Sequence, residues 1–233
     1  MSLFDQIQIV TEKIQRSLDL CNRKDNVVLI AATKNQNINT ISNCINKGII
    51  NIGENRVQEA EEKFEQLNTN NKKIVKRMIG HLQSNKLNKA LDLFDAIDSI
   101  DTVTLAKKIS DKKAKTDTKI QTLLEINTSK ETNKFGFNPE DSQGMLESIE
   151  LNNINIKGLM TLGPNTNNEK TKREAFELLR NIKEDLNRQI QPNKQLTELS
   201  MGMSGDFDLA IQEGSTMVRL GTALFGRRKN NKE

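Results

Sequence analysis

Short apolar runs alternate with amphipathic segments along most of the chain. Each run is rich in Val, Ile and Leu and is typical of a buried or half-buried β-strand. Between the runs, apolar residues recur every three or four positions, which is the period of one face of a helix. The strand-like runs are NVVLIAATK, IINIG, KIVKRMIG, DAIDSI, KIQTLLEIN, NINIKGLMTL, QLTELSM and TMVRLG.

The order of these elements predicts an α/β fold. Strands that alternate with helices form parallel sheets, and eight such units predict a closed (β/α)8 TIM barrel. A helix over about residues 3–21 precedes the first strand as an extra N-terminal element. No linker divides the chain, so residues 1–233 are predicted to form one domain. The alternative is an open doubly wound sheet. That fold usually carries a glycine-rich turn after its first strand, and ATKNQN at 32–37 has no glycine.

Composition excludes several classes of function. Only 35% of residues are hydrophobic, and no run approaches the roughly 18 apolar residues that a membrane helix requires. The net charge is +4, but aromatic residues are 3% and basic residues are spread along the chain, which argues against nucleic-acid binding. The polar start contains acidic residues, so the expected location is the cytoplasm. Cys21 and Cys44 have no metal-site spacing and are expected to be reduced, buried thiols.

Lys34 ends the first apolar run. In an extended strand it shares a face with Val28, Ile30 and Ala32. Function in (β/α)8 barrels lies at the carboxyl ends of the strands. A lysine pointing inward there would be desolvated and would act as a nucleophile. The alternative is a strand-end lysine that simply reaches water.

The last two strands end in turns of small residues. Loops after strands seven and eight of such barrels often bind phosphate, because backbone N–H groups can approach an anion there. Arg219 alternates with apolar neighbours in the last strand and is expected to face inward. The alternatives are ordinary turns and, for Arg219, a structural ion pair. The small turn residues are Ser200, Gly202, Ser204, Gly205, Gly221 and Thr222.

These three features together describe a site for pyridoxal 5'-phosphate (PLP). Lys34 would form a Schiff base with the aldehyde, and the two turns would hold the phosphate. Arg219 would face the pyridine nitrogen.

Several stretches of the chain resemble the YggS/PROSC family of pyridoxal phosphate homeostasis proteins. That family shares its barrel with bacterial alanine racemase, and the resemblance covers nearly the whole chain. The similar stretches are AATK, GENRVQEAEEK, IGHLQSNK, IDSID, INTSKETNKFGF, IKGLMTL and LSMGMSGDFDLAIQEGSTMVRLGTALFG.

The resemblance implies a role for each residue of the site. Lys34 carries the Schiff base, and Asn55 lies beside the cofactor. Ser200 and Thr222 bind the phosphate, together with main-chain groups near Met201 and Gly221. Arg219 contacts the pyridine nitrogen. One segment departs from the family pattern: VKRMIG at 75–80 replaces an aromatic-rich strand, which puts the packing of the third strand in doubt.

Two functions of different class fit such a site. The preferred one is a carrier that buffers and protects PLP inside the cell and delivers it to PLP-dependent apo-enzymes, without efficient turnover. The alternative is a PLP-dependent amino-acid racemase. Racemisation needs a second base opposite the lysine, and the chain has no tyrosine and a single histidine, His81, for which a structural role is preferred. A scaffold acting through a protein partner also fits. Without a second domain, a monomer is expected.

Overall fold

Eight parallel strands form a closed barrel in the computed structural model, which describes residues 2–69, 72–116 and 119–226. Each strand pairs with its neighbours in chain order, and β1 closes the barrel on β8, where Ile30 is the register partner of Arg219. The predicted barrel is confirmed, and the open doubly wound sheet is excluded. The strands are β1 Val28–Ala32, β2 Asn51–Glu54, β3 Val75–Met78, β4 Ala96–Ile100, β5 Ile120–Glu125, β6 Ile154–Met160, β7 Glu198–Met203 and β8 Met217–Leu220.

The helices surround the barrel, and an extra helix precedes it as predicted. That first helix begins with a capping box, in which the Ser2 hydroxyl accepts the Asp5 N–H and the Asp5 side chain accepts the Ser2 N–H. The helices are α1 Leu3–Leu20, α2 Ile38–Asn46, α3 Val57–Gln66, α4 Leu87–Leu93, α5 Val103–Lys113, α6 Ser142–Glu150, α7 Glu169–Asn187, α8 Phe207–Gln212 and α9 Thr222–Phe225. Among the described residues, no helix combines the length and apolar character needed to cross a membrane.

The apolar residues form two separate clusters. The larger one fills the layer between strands and helices, and it includes the buried Cys44, whose burial raises the thiol pKa to about 12. Cys21 is half-buried, and both thiols are free. The smaller cluster fills the barrel interior and consists of Ile30, Ile79, Leu123, Met160 and Met217.

The unusual third strand is accommodated by an ion pair. Arg77 is buried and lines a cavity of about 220 Å³ together with Leu123 and Met217, so its side chain faces the barrel interior. Its Nε and Nη2 donate to the two carboxylate oxygens of Asp98 at 2.8 and 2.7 Å. The neighbouring Lys76 places its ammonium 5.3 Å from the ring centroid of Phe64. Both charges of VKRMIG therefore have partners, and β3 forms in register with β2 and β4.

Candidate functional site

Lys34 lies just beyond β1, at the carboxyl end of the barrel. The strand ends at Ala32, and Lys34 begins a turn in which Asn35 adopts a left-handed backbone with φ of 60°. The Lys34 side chain is exposed, and no residue of the described ranges forms a hydrogen bond or ion pair with its ammonium. The expectation of a desolvated lysine is therefore wrong for this structure, because the strand stops before reaching that position. The amine is instead free to reach a ligand.

Arg219 is a buried cation whose hydrogen bonds all go to neutral oxygens. Its Nη1 donates to the carbonyl and the hydroxyl of Ser200 at 2.8 and 2.6 Å, and its Nη2 donates to the Thr161 carbonyl at 2.6 Å. Within the described part of the chain, no carboxylate lies within 4.0 Å of the guanidinium. Burial lowers the pKa of Arg219, and the negative charges of Asp98, Glu125 and Asp206 partly offset this by raising it. The ion pair considered for Arg219 is therefore not found there.

Ser200 holds the arginine in this structure. The residue is fully buried on β7, and its hydroxyl faces Nη1 of Arg219. The next residue, Met201, has its side chain in the outer apolar cluster, and its carbonyl accepts a hydrogen bond from Ser215. The turn that reaches the mouth therefore lies further along, after Gly202, whose φ of 96° is one that residues with side chains rarely adopt.

Ser204 joins the turns after β7 and β8. Its hydroxyl accepts the backbone N–H of Gly221 at 3.2 Å and that of Ala223 at 3.0 Å. A Cβ added to Gly221 would make ordinary van der Waals contact with the Ala32 carbonyl at 3.6 Å, so this turn packs against the end of β1 without crowding. Thr222 is exposed beside it. The backbone N–H groups of Gly221 and Ala223 point towards an oxygen atom here. Donors of this kind also suit an oxygen of a phosphate group, such as that of PLP.

The turn and Lys34 lie at the same place on the barrel rim. Strands β1 and β8 are neighbours, with Ala31 opposite Leu220, and Gly221 lies against Ala32. Lys34 follows two residues after Ala32. The structure thus brings together the lysine, the arginine and the small-residue turns that the sequence analysis singled out.

Asn55 and His81 lie on the side of the rim next to β1, because they follow β2 and β3. The ends of β2 and β3 approach closely, because a Cβ on Gly80 would meet the Asn55 carbonyl at 2.5 Å. Both residues line a cavity of about 620 Å³. Nδ1 of His81 lies 2.9 Å from Asp101, and its ring stacks on Phe135 with centroids 3.6 Å apart. These contacts are those of a positioned side chain, in line with the structural role preferred for His81.

Glu125 is a functional candidate that the sequence analysis missed. It is 4% exposed at the end of β5. Desolvation raises the pKa of Glu125 to about 7. The positive charge of Arg219 opposes this rise, and the negative charge of Asp101 adds to it. The alternation of side chains along β5 could have predicted it, because Glu125 lies two residues after Leu123 and so shares its inward-facing side.

Comparison with known proteins agrees with this geometry. The alanine racemase N-terminal domain family matches residues 12–229. A pyridoxal phosphate homeostasis protein of Aquifex aeolicus is 36% identical over 98% of this chain and 100% of its own length. One from Haemophilus influenzae is 34% identical over 98% and 97%. The chain belongs to the family of pyridoxal phosphate homeostasis proteins.

Solved structures place the same family on the same fold. PipY of Synechococcus elongatus, solved without PLP, matches with a TM-score of 0.86 and 33% identity, covering 97% of this chain and 100% of that chain. Its form with PLP bound matches with a TM-score of 0.79 and 34% identity, over 92% and 100%. An alanine racemase of Clostridium difficile in complex with cycloserine has a TM-score of 0.75 at 14% identity. It shares the fold, and the match covers 61% of its length.

Proposed function

We propose that this protein binds PLP at the carboxyl end of the barrel and acts in intracellular PLP homeostasis. Lys34 carries the cofactor as a Schiff base, and Arg219 faces the pyridine nitrogen. Asn55 lies beside the cofactor, and the turns at Ser204, Gly221 and Thr222 hold the phosphate. The aldehyde of PLP condenses with an amine by forming a C=N bond and releasing its oxygen as water.

One observation carries the proposal. Among the residues described, a buried guanidinium donates only to neutral oxygens and lies one strand away from a lysine whose ammonium has no partner. These hydrogen bonds satisfy and orient the guanidinium without neutralising it, which leaves its charge available to a ligand at the mouth of the barrel. The sequence analysis gave Ser200 and the main chain near Met201 to the phosphate, but the Ser200 hydroxyl lies against Arg219 and the Met201 carbonyl accepts from Ser215. We therefore assign the phosphate to the turn at Ser204, which follows them.

The same observation supports a carrier over a racemase. An arginine donates hydrogen bonds and does not release its proton, so it keeps a facing pyridine nitrogen unprotonated and makes the ring a weaker electron sink. The chain contains no tyrosine to act as a second base. The names of the relatives agree with a homeostasis role. We further propose that the protein is a cytoplasmic monomer that hands PLP to PLP-dependent apo-enzymes.

Two assays on the PLP-loaded protein separate these functions. The first measures transfer of the cofactor to an apo-enzyme by the recovered activity of that enzyme. The second measures conversion of L- and D-alanine, serine and lysine by chiral chromatography. We expect transfer with no sustained racemisation. Turnover in the usual enzyme range of about 1 to 10³ per second would contradict the carrier and favour the racemase.

A further inference from the structure

Both peptide groups that flank the Cα of Lys34 are held by side chains of α3. The carbonyl of Thr33, which belongs to the peptide before Lys34, accepts a hydrogen bond from Nζ of Lys63 at 2.7 Å. The N–H of Asn35, which belongs to the peptide after Lys34, donates to Oε1 of Glu59 at 2.5 Å. One helix therefore fixes the backbone on both sides of the lysine that reaches the cofactor.

The two side chains that do this also bind each other. Nζ of Lys63 donates to Oε1 of Glu59 at 2.7 Å and to Oε1 of Glu54 at 2.8 Å. Glu54 in turn accepts the hydroxyl of Thr33 at 2.6 Å. These four residues, Thr33, Glu54, Glu59 and Lys63, form what we call the α3 clamp. All three hydrogens of the Lys63 ammonium are used, so its position is fully determined.

The α3 clamp buries charged groups, which is energetically unfavourable. Lys63 is 8% exposed and Glu54 is fully buried. Oε2 of Glu54 has no hydrogen-bond partner in the described structure, and burial raises the pKa of this carboxyl, partly offset by Lys63 and Thr33. Replacing buried ion pairs by apolar residues is often neutral or stabilising. Stability alone therefore does not account for the clamp.

We propose that Glu59 and Lys63 are positioning residues for Lys34. They hold its backbone in the turn that Lys34 begins and the left-handed Asn35 continues, so that the flexible lysine side chain starts from a fixed point beside the turn at Gly221. Presetting the reacting amine reduces the loss of freedom when the C=N bond forms. The proposal rests on the proposed function, because it assigns the clamp to the lysine that carries PLP.

The test compares Glu59→Ala with Glu65→Ala, an exposed glutamate on the same helix. Binding of PLP is followed by the visible absorption of the Schiff base, as an equilibrium constant and as a rate of formation. We expect Glu59→Ala to weaken binding and slow formation by about tenfold, the scale of one hydrogen bond to a charged group. Glu65→Ala should behave as the parent protein does.

A double-mutant cycle with Lys34→Ala separates positioning from a general effect. Residual PLP binding is measured by equilibrium dialysis in that background. If the clamp acts through Lys34, adding Glu59→Ala there changes nothing further. An equal loss of affinity with and without Lys34 would overturn the proposal. A visible band that survives in Lys34→Ala would instead overturn the proposed function, so the two failures are distinguishable.

A second variant keeps the test valid if Glu59→Ala folds poorly. Lys63→Met combined with Glu54→Gln and Glu59→Gln removes the three charges of the clamp together, so that no carboxylate loses its partner. We expect thermal unfolding close to that of the parent and Schiff-base formation slowed by about tenfold or more. Parental rates in this variant would show that the clamp is structural only.

Discussion

Two buried arginines of the described residues face the interior of this barrel, and they differ in what they bind. Arg77 donates two parallel hydrogen bonds to the carboxylate of Asp98, towards the amino-terminal end of the barrel. Arg219, near the carboxyl end, has no acceptor in the described ranges other than the neutral oxygens of Ser200 and Thr161. Both are 4% exposed.

The difference distinguishes a structural charge from a charge kept for a ligand. A carboxylate neutralises Arg77 where it stands, so its charge has no effect at the mouth. Carbonyl and hydroxyl oxygens orient Arg219 without cancelling its charge. Both arginines occupy inward-facing positions of a strand and are equally buried. What identifies the functional arginine is therefore the group it binds.

The largest expected effect is on stability and concerns Arg77. Arg77→Met leaves Asp98 as an unpaired buried charge, and we expect the free energy of unfolding to fall by about 3–5 kcal/mol. Arg77→Met with Asp98→Leu should recover most of that loss. Urea unfolding of both variants checks this. If the single variant loses less than about 1 kcal/mol, Asp98 does not depend on Arg77 for its stabilisation in the interior.

The next effect is on the pH dependence of stability and concerns Glu125. Its pKa of about 7 in the folded protein lies above its usual 4.5, so the unfolded chain ionises first as pH rises. The protonated Glu125 therefore contributes fully to the free energy of unfolding below pH 4.5. This contribution, about 3 kcal/mol, is lost as pH rises through about 7. Urea unfolding across that range should show this loss in the parent and a flatter profile in Glu125→Gln. A Glu125 pKa below 4.5 would mean that it pairs with Arg219, and the contrast between the two arginines would disappear.

Removing Arg219 should affect the cofactor more than the fold. Arg219→Met removes the charged donors of the ring contact, and we expect PLP affinity to fall by about 1.5–3 kcal/mol. The empty protein should lose less stability than Arg77→Met does, because no carboxylate is left unpaired. Equilibrium dialysis with PLP and urea unfolding of the same sample check both parts. Unchanged PLP affinity would remove Arg219 from the site.

The smallest effects are expected in the phosphate turns. Ser204→Ala and Thr222→Ala each remove one hydroxyl, and we expect each to weaken PLP binding by about 1 kcal/mol. Pyridoxal, which lacks the phosphate, should bind both variants as it binds the parent. If pyridoxal binding is weakened equally, these hydroxyls do not act on the phosphate.

The sequence predicted the barrel because every strand has a short apolar run and a helical segment after it. It also predicted that Lys34, Arg219 and the two turns lie together, since parallel strands end at one rim. The contact of Ser200 with Arg219 could not be predicted. It depends on a register shift between β7 and β8, where Ser200 is opposite Met217 but Met203 is opposite Arg219. Arg77 was missed for a similar reason, because its partner lies on another strand.

The central claim is that Lys34 is the residue that carries PLP. Borohydride reduction of the PLP-loaded protein, followed by peptide mapping, tests it directly, because reduction fixes the cofactor to the lysine that holds it. We predict that the added mass lies on the peptide containing Lys34 and that Lys34→Ala loses the visible band while remaining folded. A label on Lys86 or Lys134, with none on Lys34, would contradict the account.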